Sequence, residues 1–300
     1  MKRCSPVKIT PVMDSLCIRC SPPPPLSPER MEQSRLDLTS SRPRAQLSGD
    51  PRVVQYLKFL VEEVNSKKKI WQCAETSFIM YVDIQPQLQV GPTCGLLALS
   101  LVANLVRPTT VNKLLHIAQA KGFTKQGEIF SALNMSLLAE EVLGEYCDVR
   151  LHQHDMLSCC PDSVWDLLLS HNIFLVPYDK DKDNSPGLHN GHKAHWCVIV
   201  GTSVCSGEKF YCTAQGKSRK LSLWRTDLLA ASNKQLFEIQ PDLMNSNYVT
   251  SNIRAELAGQ CISFEFHEGI TLPIVRTSDE DFPTTLTVLQ QITWNPSSRA

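Results

Sequence analysis

Cys94 lies in the segment Gln89-Val-Gly-Pro-Thr-Cys94-Gly-Leu-Leu-Ala-Leu99, a setting that gives its thiol the means to react. Gly91-Pro92 forces a turn, and a nearly all-apolar helix starts at or just before the cysteine. A thiol at a helix head meets backbone N–H groups without intrahelical partners and the positive end of the dipole. Both favour the nucleophilic thiolate. Gly95 removes a side chain beside the sulfur, which leaves room for a substrate backbone. Gln89, across the turn, offers an amide that with the Cys94 N–H would hold a developing oxyanion. A cysteine alone at such a place reads as a small buried residue opening a core helix. Gln, Gly-Pro and Cys-Gly together, ahead of a buried helix, point instead to a nucleophile.

A cysteine nucleophile needs a base that the fold brings near from elsewhere in the chain. His195 is the best placed of the eight histidines. It opens His195-Trp-Cys-Val-Ile-Val-Gly201, a strand apolar on both faces, directly after the polar stretch 179–194. His192, three residues earlier, is its rival and reads as a solvated loop residue. His116 falls on a helix, His152 and His154 flank a loop, and His189 sits among polar residues. On the next strand, Tyr211-Cys-Thr-Ala-Gln215-Gly-Lys-Ser218, a hairpin would bring the Gln215 oxygen beside the His195 ring. A glutamine there orients the imidazole but adds no charge to stabilise its cation. The other reading of Gln215 is a polar residue beginning a turn. The chemistry these groups define is acyl transfer through a thioester.

These residues have to be positioned by helices that come first and a sheet that comes later. The apolar run Leu96–Val106 predicts a buried helix that stops before Pro108. Helices over 110–121 and 128–143 run up to Gly122 and Gly144, where left-handed caps are expected, and a short helix covers 162–170. Ile173–Tyr178, His195–Gly201, Lys209–Ala214 and Gln260–Phe266 read as strands, with a helix near 226–237 between the last two. The fold class is α+β, a helical N-terminal part packed on an antiparallel sheet. Folded structure is expected from 49 to 275, opening on Asp50-Pro51 as cap and first turn of a helix that carries Val54, Leu57, Leu60, Val61 and Val64. Residues 1–48 hold eight of the nineteen prolines and read as a disordered arm, and 276–300 as a mobile tail.

Thirty basic residues balance thirty acidic ones, which gives no argument for nucleic acid or an anionic membrane surface as partner. The longest apolar run is about eleven residues, against the roughly twenty needed to span a bilayer. Met1–Pro11 is charged and proline-broken rather than a signal core, so the twelve cysteines are expected to be reduced thiols of a cytoplasmic chain. Cys17-Ile-Arg-Cys20 has metal-ligand spacing but no second close pair, and the adjacent Cys159 and Cys160 do not bridge each other without strain. No Walker loop, dinucleotide fingerprint or His-Glu-x-x-His sequence occurs, so neither cofactor nor metal is expected.

Four separated motifs, Gly91-Pro-Thr-Cys94-Gly-Leu-Leu-Ala-Leu99, the helix segment Thr124-Lys-Gln-Gly-Glu-Ile-Phe130, Gly191-His-Lys-Ala-His-Trp196 and Gln215-Gly-Lys-Ser218, resemble in order those of the actin maturation proteases of animals. The resemblance covers roughly residues 50 to 266. More distantly, the Gln, Cys-Gly and histidine-strand layout is similar to bacteriocin-processing peptidases of export systems. The resemblance implies a papain-like cysteine peptidase fold. The implied activity is an aminopeptidase that removes the acetylated first Met or Cys from immature actin, with Cys94 as nucleophile and His195 as the motif histidine. It also implies profilin as a partner of the proline run Pro22, Pro23, Pro24, Pro25, a polyproline II former. Two other classes fit the same residues: a catalytically silent papain-like module binding actin or profilin, and a Cys/His acyltransferase.

Overall fold

The strands rich in valine, isoleucine and aromatics pair antiparallel into a single sheet, seen in a computed structural model that describes residues 76–276 apart from 206, 245, 246 and 251. The arm, the helix expected from Asp50-Pro51, Cys17, Cys20, Pro22–Pro25 and the tail from 277 onward lie outside the described residues.

The organising element is β4 (Ala194–Cys205). Along its first half one edge pairs with β3 (Ile173–Asp179), from Ala194 opposite Asp179 to Ile199 opposite Phe174. Along its second half the same edge pairs with β1 (Thr76–Val82), from Gly201 opposite Tyr81 to Cys205 opposite Thr76. The other edge carries β5 (Glu208–Gln215), followed by β6 (Ser222–Arg225). Beyond β3 lie β7 (Cys261–Phe266) and then β2 (Cys147–His152), and beyond β1 lies β8 (Ile274–Arg276). Gly201 is needed where β1 crosses in, because a Cβ there would collide with the Met80 carbonyl oxygen and the Tyr81 backbone.

Helices cover both faces of the sheet. On one, α1 (Cys94–Ala103), α2 (Val111–Ala120) and α3 (Ala132–Leu143) bury Leu96, Leu99, Leu114 and Met135 with Trp196 and Val198. On the other, α4 (Met156–Cys159), α5 (Pro161–Leu169) and α6 (Thr226–Lys234) meet Phe174, Val176, Tyr178 and Ile199 through Leu157, Trp165 and Leu229. A last short helix, α7 (Ile253–Glu256), precedes β7. The α+β arrangement of helices on an antiparallel sheet is as expected.

Several boundaries differ, each for a local reason. Helix α1 stops at Ala103 because the Asn104 side chain turns to accept the Thr109 N–H at 2.8 Å. Helix α3 starts at Ala132 rather than at 128, capped by the extended Ser131, whose hydroxyl accepts the Asn134 N–H at 3.2 Å, while the backbone amides of Lys125 and Gln126 ahead of it bind the Glu128 carboxylate. The motif 124–130 is therefore a loop and not helical. Gly122 has the expected left-handed φ of 72°, whereas Gly144 is right-handed at −58°, its N–H continuing to the Glu140 carbonyl at 2.8 Å. Strands β1, β2, β6 and β8 were not expected. No described cysteine is in a disulfide, and no helix among the described residues is long and apolar enough to cross a membrane.

Candidate active site

Gly91, at φ 68°, and Pro92 turn the chain into α1, so that Cys94 occupies its first turn. The Thr93 hydroxyl donates to the Val90 carbonyl oxygen at 2.8 Å and leaves the helix without a side-chain cap. The sulfur is half-buried and meets the backbone N–H of Trp196, the residue after His195, together with those of Gly95 and Cys94 itself. Two chain segments about a hundred residues apart thus converge on one thiol.

Gly95 does something other than leave room for substrate. A Cβ on it would lie 2.5 Å from Met135 Cε and 3.0 Å from Trp196 Cδ1, so the missing side chain lets the helix head press onto the indole. The indole is itself fixed, Nε1 donating to the Ile129 carbonyl oxygen at 2.9 Å.

His195 is 5% exposed at the mouth of β4. Its cross-strand partner Tyr178 meets the imidazole edge-on, with ring centroids 5.7 Å apart and planes at 79°. The buried Nε2 has no hydrogen-bond partner among the described residues. Burial pushes the imidazole down to about 3, and the positive charges of Lys217 and Lys180 act in the same direction. Burial pushes the Cys94 thiol up, more than the three backbone N–H groups and the Lys217 charge pull it down. This departs from the thiolate expected of a helix head. Desolvation disfavours both ions and so works against thiolate and imidazolium alike.

Gln89 stands beside them, its Nε2 donating one hydrogen to the Gly91 carbonyl oxygen at 2.7 Å and keeping a second. Its backbone N–H reaches the Gly216 carbonyl oxygen at 2.9 Å, and a Cβ at Gly216 would lie 2.6 Å from Gln89 Oε1. The close approach accounts for glycine after Gln215. Gln215 is buried on β5 opposite Cys197, two residues along from His195 on the same side of the sheet. Its Oε1 accepts the Lys217 N–H at 2.6 Å, which is the turn-forming reading of this residue. His192 pairs with Glu238 at 3.1 Å on the surface, as a solvated loop histidine does.

Cys94 and His195 line one cavity of about 290 Å³ with Gln89, Trp196 and Lys217, closed by Ile129, Phe130, Tyr248 and Leu257. Its volume falls at the small end of ligand sites. Glu128 also lines it and was missed in the sequence. Its carboxylate accepts from the Thr124 hydroxyl (2.8 Å) and the N–H groups of Lys125 (3.1 Å), Gln126 (2.9 Å) and Val249 (2.9 Å). Burial opposes its ionisation, but these donors together hold it below the usual carboxylate range. Trp196 and Lys217 were missed as well, although they stand inside two of the quoted motifs. Among the described residues no group of His, Cys, Asp and Glu is arranged to hold a metal ion.

A thiol heading a helix that is buried against an antiparallel sheet, with a histidine at the mouth of that sheet's central strand, is an arrangement of the papain-like fold. Residues 84–203 match the family described as actin maturation protease-like, C-terminal domain. The actin maturation protease of Xenopus tropicalis is 31% identical over 64% of this chain and 75% of its own length. That of Drosophila melanogaster is 37% identical over 57% of this chain and 62% of its own length. Among solved structures, a C39-like peptidase from Bacillus anthracis is a looser likeness, with a TM-score of 0.39 and 10% identity over 62% of this chain and 96% of that one. The chain belongs to the actin maturation protease family.

Proposed function

We propose that this chain is a cysteine aminopeptidase that removes the acetylated first residue, methionine or cysteine, from immature actin. The observation that carries the reading is the meeting of Cys94 and His195 in one small cavity, with the Trp196 N–H on the sulfur. As the sulfur adds to the carbonyl carbon of the first residue, its proton passes to the unpartnered Nε2 of His195. The Cys94 N–H and the second amide hydrogen of Gln89 hold the oxyanion. His195 returns the proton to the departing nitrogen, the C–N bond breaks and a thioester remains. Water, giving a proton to His195, then releases the acetyl-amino acid and restores the thiol.

The cavity walls support a neutral, blocked N-terminus as ligand. Glu128 is the one carboxylate that lines it among the described residues; its four hydrogen bonds occupy the lone pairs that a free ammonium would take, and Lys217 on the same wall opposes a second cation. Ile129, Phe130, Tyr248 and Leu257 suit one apolar side chain. Gln215, on the histidine's side of the sheet, would steady the ring, and Pro22–Pro25 would contact profilin.

The test is mass spectrometry of an acetylated actin N-terminal peptide incubated with the protein. The expected product is the peptide shortened by its acetylated residue, absent with a folded Cys94→Ala variant. An intact peptide, or equal processing by Cys94→Ala, sinks the proposal, and a newly acylated amine would make the protein an acyltransferase.

A further inference from the structure

The loop that delivers His195 is built around a single carboxylate. Asp179 ends β3 opposite Ala194 and is completely buried. Its Oδ2 accepts the backbone N–H groups of His189 (2.6 Å) and Gly191 (2.8 Å) and the side-chain amide of Gln235 (2.8 Å). Its Oδ1 accepts the N–H of Lys193 at 2.9 Å, and its own carbonyl oxygen accepts that of Gly187 at 2.7 Å. No ion pair to this carboxylate occurs among the described residues. A charge without a counter-ion in the core is costly unless hydrogen bonds replace its hydration. Here they come mostly from backbone, at alternate residues along the returning limb of one loop.

That limb runs directly into Ala194 and His195. The three amides fix its path, and with it the imidazole and the Trp196 N–H that touches the Cys94 sulfur. The Gln235 amide extends the clamp, its Oε1 accepting the Asn190 N–H at 2.6 Å while the Asn190 carbonyl oxygen takes the N–H groups of Phe237 and Glu238. Asp179 does not face the ring, since it pairs with Ala194 while Tyr178 pairs with His195, and neighbouring strand residues point to opposite sides. The charges that act on the imidazole are those of Lys217 and Lys180. Asp179 therefore acts on the site through the backbone.

We propose that Asp179 is a positioning residue: by closing the loop 180–193 at its base, it sets the placement of His195 against Cys94. This rests on Cys94 and His195 being the reacting pair. Asp179→Asn keeps the size of the side chain and can leave an oxygen toward the three-donor cluster, turning its amide hydrogens on the Lys193 N–H next to the site. Turnover of the acetylated peptide, thermal unfolding and the pH dependence of Cys94 alkylation by iodoacetamide would be measured on the full chain.

The expected result is a kcat lower by about a hundredfold, as for a misplacement of about 1 Å, with KM within about twofold and the chain folded. The alkylation profile should match that of His195→Gln. A kcat within about threefold of wild type, or a loss no greater than the unfolded fraction with an unchanged profile, overturns the proposal. Should Asp179→Asn fail to fold, Gln235→Ala removes the clamp from the other end. It should lower kcat by about tenfold, and an unchanged kcat would count equally against Asp179. Wild-type protein that yields no product sinks the underlying pair, whereas turnover by both forms at rates within about threefold sinks only the role of Asp179.

Discussion

Replacing His195 with glutamine should flatten the pH dependence of stability between pH 7 and pH 5. In the unfolded chain the imidazole titrates near 6.5, while in the fold it is held down to about 3, first by burial and then by Lys217 and Lys180. Between those values the unfolded state binds the extra proton, so stability is present above pH 6.5 and is withdrawn as pH falls toward 3. At pH 5 about 32 times more weight goes to the unfolded chain, a loss of about 2 kcal/mol, against about 0.2 kcal/mol at pH 7. The whole loss, reached below pH 3, is on the order of 5 kcal/mol. That is a large share of the roughly 5–15 kcal/mol typical of a domain. Urea unfolding at both pH values measures it, 2 kcal/mol being roughly 1 M in the midpoint at an m-value of about 2 kcal/mol/M. Other titrating groups are common to both proteins, so the difference between wild type and His195→Gln isolates this one. Equal losses from pH 7 to pH 5 would refute the account of a neutral, desolvated imidazole.

Gly95→Ala should destabilise the fold by about 1–3 kcal/mol, since its methyl would press on Met135 and Trp196. Helix propensity returns up to about 1 kcal/mol, and a variant as stable as wild type in urea unfolding would show that the indole gives way. Lys217→Met should raise the His195 value and push the Cys94 thiol further up, because one cation acts on both. Imidazole NMR titration and pH-dependent alkylation read the two directions. The exposed position of Lys217 means that salt should weaken the wild-type effect, and no movement of either group removes Lys217 from the site's electrostatics.

The parts of this site that rest on pattern were legible in the sequence. An apolar run behind Gly-Pro places Cys94 at the head of α1, and a β-branched stretch after a polar loop places His195 at the mouth of β4. The parts that rest on contact were not. Glu128 and Asp179 were not singled out, since their partners are mostly main-chain amides that no residue type announces. The thiolate expected of Cys94 followed from the helix head alone, and the burial that opposes it appears only once Trp196 lies across that head. Strand β2 was missed because Asp148 and Arg150 give it a polar face, turned out toward Glu265 and His267 of its neighbour β7 and the residue after it. Helix α3 starts later than expected because Ser131 is extended and caps it through the Asn134 N–H.

The change of partner along β4 divides that strand into two lengths answerable to different parts of the chain. Ala194 to Ile199 is secured by β3, and Gly201 to Cys205 by β1, with Gly201 at the join. Local opening proceeds through contiguous units of unequal stability. Strand β5 spans the join along the other edge, from Cys197 to Cys205, so the two lengths differ only on the edge that β3 and β1 share. Amide exchange should register this on the hydrogens that face β3 and β1, whose protection can differ on the two sides of one glycine, while those that face β5 follow the strand as a whole.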